Sequence, residues 1–134
     1  MTTVPQGYYI PTPVNKAVAS APAVGFGTGY GGAVTQGTSK TTGVTLNTKT
    51  GVITMHNAAL ADAASVKFTL TNSSIGGTDV VICNQGTGGT AGSYVVECVS
   101  AGAGSAVLRV TNISGGSLSE ALTINFAVID CVNA

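Results

Sequence analysis

The side chains able to do chemistry are few and far apart. His56 is the single histidine, so a Ser-His-Asp relay would have to use it, and it closes the strand-like run ITMHN beside turn residues. The acids Asp62, Asp79, Glu97, Glu120 and Asp130 are dispersed, so their spacing offers no carboxylate pair for glycoside hydrolysis. No DxDxDG-like string supplies the closely spaced oxygen ligands of a calcium loop. Cys83, Cys98 and Cys131 lack the CxxC or CxxH spacing of a zinc site. The glycine-rich stretches VGFGTGYGG (24–32) and NQGTGGTAGS (84–93) have neither a GK[ST] ending nor a following helix, which a phosphate loop requires. The expectation is therefore no catalytic residue, no cofactor and no metal, in a chain that is not an enzyme.

What remains is structural. An odd cysteine count, behind a start (MTTVPQGYYIPTPVNK) without the basic and apolar regions of a secretory signal, predicts reduced thiols formed in a cytosolic environment. Cys83 and Cys98 fall in apolar runs, where a thiol acts as a small hydrophobe. Arg109, the single arginine, points outward between Leu108 and Val110, with Glu97 as its cross-strand partner, a pair of the ordinary exposed kind.

Composition narrows the function classes. Only 7% of the residues are charged, against roughly 25% in an ordinary soluble domain. Five basic and five acidic residues cancel to a net charge of +0, and the mean hydropathy is +0.41. A free monomer usually keeps its net charge away from zero to resist association, so much of this surface is expected to be covered by other copies or a larger assembly. Lys16, Lys40, Lys49, Lys67 and Arg109 are scattered, which argues against nucleic acid as a partner. No run of about 18 apolar residues exists to form a membrane helix.

The elements that must position any site are read from periodicity. At 134 residues one domain is expected, with an arm at residues 1–32 and a β domain at 33–134. All four prolines lie at positions 5, 11, 13 and 22. Proline fixes φ and removes a donor, so YYIPTPV (8–14) is expected to run extended without a ladder of its own. The stretch 24–32 reads as a flexible hinge, and the arm's Tyr8, Tyr9, Ile10, Phe26 and Tyr30 as anchors on a partner. From Ala33 the period is two. Val34, Val44 and Leu46 alternate with polar residues, and Lys49–Gly51 turns the chain into 52–55. Residues 57–64 form a crossover loop with room for one helical turn. Val66, Phe68 and Leu70 then share a face, as do Tyr94, Val96 and Cys98, then Ala106, Leu108 and Val110, and finally Leu122, Ile124, Phe126 and Val128. Seven or eight short strands with turn signals between them predict an all-β fold, an antiparallel β-sandwich of jelly-roll-like form. FTLTNSSIGG (68–77) and LRVTNISGG (108–116) echo one another, each a strand ending in Thr-Asn and a Gly-Gly turn, with Asn and Gly expected to supply positive φ. Their Asn-x-Ser triplets are read as turns, not glycosylation acceptors.

Three strings also carry a resemblance: GGAVTQGTSKTTGVTLN (31–47), GVITMHNAAL (51–60) and SGGSLSEALTINFAVI (114–129). Together they resemble modules of tailed-bacteriophage structural proteins, in particular capsid decoration (cement) proteins and related head- or tail-fibre proteins. The resemblance implies a virion protein on the capsid exterior, made in the bacterial host cytoplasm. It implies the major capsid protein as partner and a homotrimer as the assembly. The alternative is a fibre or receptor/carbohydrate-binding β module. The absence of Trp leaves Tyr94 and the arm's aromatics as the candidate sugar platforms.

Overall fold

The computed structural model describes residues 18–20 and 23–133. Strands β1 (Val18–Ser20) and β2 (Ala23–Gly25) form a small antiparallel pair. Eight further strands follow: β3 (Ala33–Thr35), β4 (Val44–Thr45), β5 (Thr50–Thr54), β6 (Ser65–Thr71), β7 (Val80–Gln85), β8 (Tyr94–Gly102), β9 (Ser105–Asn112) and β10 (Thr123–Ile129). They make two four-stranded sheets, ordered β3-β5-β10-β7 and β4-β6-β9-β8, which pack as a β-sandwich. The sheets are mixed rather than wholly antiparallel: β3 joins β5, and β4 joins β6, in parallel. Residues 36–43 carry the chain from one sheet to the other, so β3 and β4 add as short parallel edges. Alternation along a strand is the same for either direction of pairing, so the sequence pattern carries no sign of this.

The period-two pattern does set the core. Phe68 and Leu70, then Ala106, Leu108 and Val110, then Ile124, Phe126 and Val128 are all buried, with Leu122 beside them. Tyr94 is buried, and Val66, Val96, Cys83 and Cys98 are half-buried against the same cluster. Residues 57–64 contain no helical turn. Leu60 instead exchanges backbone hydrogen bonds with Leu118, at 2.8 and 3.1 Å.

The stretch 24–32 differs from a flexible hinge. The Thr50 N–H donates to the Tyr30 carbonyl at 3.2 Å and the Val52 N–H to the Gly32 carbonyl at 3.0 Å, so pairing to β5 begins ahead of residue 33. Gly32 and Gly51 are there for close approach. A Cβ on Gly51 would stand 2.7 Å from Leu46 Cδ2 and 2.9 Å from both the Gly32 carbonyl oxygen and Phe126 Cε1. Nor does Lys49–Gly51 serve as a free turn, because Thr50 and Gly51 already belong to β5 and Lys49 is buried. Phe26 and Tyr30 sit against each other with ring centroids 6.0 Å apart. Tyr8, Tyr9 and Ile10 lie outside the described residues.

The echoed strings are a pair of buried asparagine corners. Asn72 and Asn112 follow or end antiparallel neighbours, so they stand at opposite ends of the sandwich. Each side-chain oxygen accepts the amide two residues on, Ser74 at 2.8 Å and Ser114 at 2.9 Å. The Asn72 amide group donates to the Thr48 carbonyl, and that of Asn112 to the carbonyls of Leu60 and Gly116. These are Asx turns. Neither asparagine has positive φ; in the second echo that role falls to Gly115. Both asparagines are fully buried, which supports turns over glycan acceptors.

Candidate functional site

Charge in the described residues is sorted by position, and the sorting defines the candidate site. Two lysines are consumed inside the fold. Lys40, 3% exposed, donates through Nζ to the carbonyls of His56 and Glu120. Gln36 clamps the same crossing loop, donating to the Lys40 and Thr42 carbonyls while accepting the His56 amide. Burial holds the Lys40 ammonium below its ordinary pKa, and the Glu120 carboxylate opposes that shift. Glu120 is held below the usual range by the Thr90 hydroxyl and amide, with a further bond from the Tyr94 hydroxyl at 2.9 Å.

Lys49, 7% exposed, does the corresponding work elsewhere. Its Nζ contacts Asp130, donates to the Ser74 carbonyl at 2.6 Å and lies 3.9 Å from Asp79 Oδ2. Asp79 accepts the Cys131 amide at 3.0 Å and the Gly76 amide at 2.7 Å, and these bonds depress its pKa. A shallow cavity of about 480 Å³ opens here, lined by Lys49, Ser73–Gly76, Asp79 and Asp130. Its charged groups are already bonded to one another, so it reads as a structural lock joining the start of β5 to the end of β10.

The outer face of the β4-β6-β9-β8 sheet carries the remaining strand charges. Lys67, Arg109 and Glu97 lie in one cross-strand row, with Lys67 and Glu97 in register on either side of Arg109. Arg109 and Glu97 form the expected ion pair, with both side chains 41% exposed. That face also exposes Val95 and Val99, so what sets the outer face of the β3-β5-β10-β7 sheet apart is the absence of charge. None of its four strands contains a charged residue. Val52, Val80, Ile82 and Ile129 stand exposed on it at 36, 50, 56 and 39%. They cluster because their partners in register, Asn125, Ala127 and Ile129 on β10, lie between β5 and β7. Ala33, Thr35 and Asn84 complete an uncharged surface. This face is the candidate site, a surface for contact.

Of the residues singled out for chemistry, Asp79 and Asp130 are brought together around Lys49 and Tyr94 meets Glu120, but no nucleophile is paired with His56 as its base among the described residues. His56 Nδ1 accepts the Ala58 amide at 3.0 Å. Tyr94 is no sugar platform: it is buried, its hydroxyl is bound to Glu120, and burial pushes its pKa up to about 12. Burial likewise pushes the Cys83 thiol up to about 11 and raises that of Cys98, so both resist forming the reactive thiolate. All three cysteines are free thiols. Among the described residues, no group of three or more His, Cys, Asp or Glu is placed to hold a metal, and no helix is long and apolar enough to cross a membrane. The sequence pattern missed the buried roles of Lys40 and Lys49. Their partners are up to 81 residues away, so no local signal could have announced them. The sequence pattern did not reveal the uncharged face, because only the strand order shows that these four strands lie side by side. No protein-family model, curated protein or solved structure matches the chain.

Proposed function

We propose that this chain is a phage virion structural protein, a capsid decoration or cement protein that binds the outer capsid surface and stabilises the shell. The observation that carries the reading is the uncharged aliphatic face of the β3-β5-β10-β7 sheet, opposite a face with ordinary exposed charge. Val80, Ile82 and Ile129 adjoin across β7 and β10, and an exposed aliphatic cluster without neighbouring charge is the kind of surface used for contact. The resemblance of residues 31–47, 51–60 and 114–129 to phage structural modules gives the class of partner, the major capsid protein, and a homotrimer as the form that attaches. The mechanism is adhesive. Binding to the assembled shell, and not to its separated subunits, shifts the equilibrium against rupture by mass action. The arm, through Tyr8, Tyr9, Ile10, Phe26 and Tyr30, adds apolar anchors to the same attachment.

Co-sedimentation with undecorated capsids tests this directly. The full chain is expected to pellet with the shells and to raise the temperature at which they release their contents. Absence from the pellet at saturating concentration would sink the decoration reading. Recovery on a purified tail or fibre instead would favour a fibre module.

A further inference from the structure

We propose that Lys49 and Asp130 condense into an intramolecular amide, Nζ to Cγ, with Asp79 carrying the protons. The lock at the end of the sandwich then becomes a covalent cross-link. The inference goes beyond the adhesive reading and does not depend on it.

The geometry comes from three adjacent strands. In the order β5-β10-β7, Lys49 precedes β5, Asp130 follows the central β10 and Asp79 precedes β7. The Val128 N–H donates to the Lys49 carbonyl at 2.7 Å, and Asp79 stands one step beyond the paired Val80 and Ile129. Alternation gives all three positions the inward parity: Lys49 with Gly51 and Ile53, Asp130 with Phe126 and Val128, Asp79 with Val81. Lys49 Nζ contacts Asp130 Oδ1 and lies 3.9 Å from Asp79 Oδ2, with the Lys49 and Asp79 side chains only 8 and 7% exposed. Its bond to the Ser74 carbonyl, 2.6 Å, fixes the direction of the nitrogen. An amine, a carboxyl group and a second carboxyl group are thus held in one row by the strands behind them. Such positioning turns a slow bimolecular condensation into an intramolecular one.

The step balances without any further reactant. A proton passes from the Lys49 ammonium to the Asp130 carboxylate, which replaces two poorly hydrated charges by a neutral amine and a carboxylic acid. The nitrogen lone pair then forms the bond to Asp130 Cγ. Asp79 takes a proton from that nitrogen and returns it to the departing hydroxyl, the Cγ–O bond breaks, and one water leaves. The cavity beside the three groups gives that water an exit. Asp79 suits the relay because the Cys131 and Gly76 amides hold it as the carboxylate, and it also hydrogen-bonds Asp130. Lys40 is a useful contrast. It is equally buried, but its Nζ donates to the backbone carbonyls of His56 and Glu120, which offer no leaving group.

Lys49 and Asp130 are 81 residues apart, so the amide closes a loop that runs from β5 through β10. A cross-link of that span removes much of the unfolded chain's freedom. It also lets tension applied before residue 49 and after residue 130 bypass the strands between them.

Intact mass spectrometry of the purified, denatured full chain tests the proposal. The expected mass lies one water below that of the sequence. Trypsin should cut after Lys40, Lys67 and Arg109 but not after Lys49, leaving residues 41–67 joined to 110–134. Lys49→Arg keeps the ion pair but lacks the amine, and should stay at its full sequence mass. Asp130→Asn, which releases ammonia in place of water, should converge on the product mass of the parent. Asp79→Asn should stay unjoined or react far more slowly, with circular dichroism showing that its strands are retained. A parent chain at full sequence mass, cut normally after Lys49, overturns the inference and leaves an ordinary ion pair. Loss of water without the joined peptides overturns it equally. Asp79→Asn reacting as fast as the parent overturns the role given to Asp79.

Discussion

The two outer faces of this sandwich are built from the same alternating strands, yet they solve opposite problems. On the β4-β6-β9-β8 sheet, β6 and β9 place Lys67 and Arg109 side by side, and β8 answers with Glu97. That row keeps the face hydrated and blunts β8, the long edge strand, against unwanted pairing. On the β3-β5-β10-β7 sheet the outward positions are Val, Ile, Ala, Thr and Asn. The inward positions of both sheets are alike in their aliphatic and aromatic side chains. A net charge of zero therefore does not describe this molecule evenly. Charge is withheld from one face, placed in a row on the other, and spent inside at Lys40 and Lys49.

The largest effect that could break this comparison lies within a single pair of strands. Phe126 points into the core and Ile82 points outward from neighbouring strands of the same sheet. Phe126→Ala is expected to destabilise the domain by about 3–5 kcal/mol, through lost transfer energy and a residual cavity. Ile82→Thr should change stability by roughly 0.5 kcal/mol or less, as surface substitutions do. Denaturant melts of both variants decide the matter. Similar costs would mean that β7 and β10 are out of register by one residue, which would exchange their faces.

How much of this was legible beforehand follows the range of each interaction. The inward sets on β6, β8, β9 and β10 were plain, because alternation is a property of neighbouring residues. So was Glu97 opposite Arg109, two strands joined by a tight turn. The parallel edges β3 and β4 were not legible, since direction depends on where the chain crosses between sheets. Lys49 looked like a turn residue because its partners Asp79 and Asp130 lie beyond the reach of any local pattern, the second of them 81 residues on. The Asn72 and Asn112 echo was seen as a pattern, but positive φ was expected of Asn and Gly together, and only Gly115 of the second echo has it. The side chains themselves cap the turns, a role visible only once Thr48 and Leu60 were found beside them. The uncharged face needed the order of β5, β10 and β7, which no local pattern supplies.

An intermediate effect sharpens the contrast between charge used inside and charge used outside. Asp79 is held below its ordinary value of 3.8, first by the Cys131 and Gly76 amides and also by Lys49. A carboxylate with a depressed folded pKa adds stability that is present above its unfolded pKa and is lost as pH falls through the folded one. Stability should therefore decline as pH is lowered below about 4, the unfolded carboxylate range. Asp79→Asn should flatten that acid limb while lowering stability at neutral pH by about 1–3 kcal/mol, the cost of unpairing buried groups. Thermal melts of parent and variant from neutral to acid pH provide the measurement. An unchanged acid limb in the variant would move the sensitivity to Glu120, the other carboxylate with a lowered pKa.

The smallest expected effect belongs to the charged row, and its smallness is informative. Arg109 and Glu97 are each 41% exposed, so solvent screens their attraction and two long side chains lose freedom in holding one geometry. A double-mutant cycle with Arg109→Ala and Glu97→Ala should give a coupling of about 0.2–1 kcal/mol. Salt should shrink it further, since the Debye length falls from about 10 Å at 0.1 M to about 3 Å at 1 M. Lys67 enters the same row from β6, so Lys67→Ala is expected to strengthen the Arg109–Glu97 coupling slightly by removing a competing cation. The opposite face has no strand charge to screen, and association through its aliphatic groups should be unchanged or strengthened at high concentrations of an excluded salt such as sulfate. Salt thus separates the faces in one preparation, weakening the row while sparing the bare patch. If the coupling persisted undiminished at high salt, the row would be a desolvated structural element, and the distinction drawn between the two faces would lose its electrostatic basis.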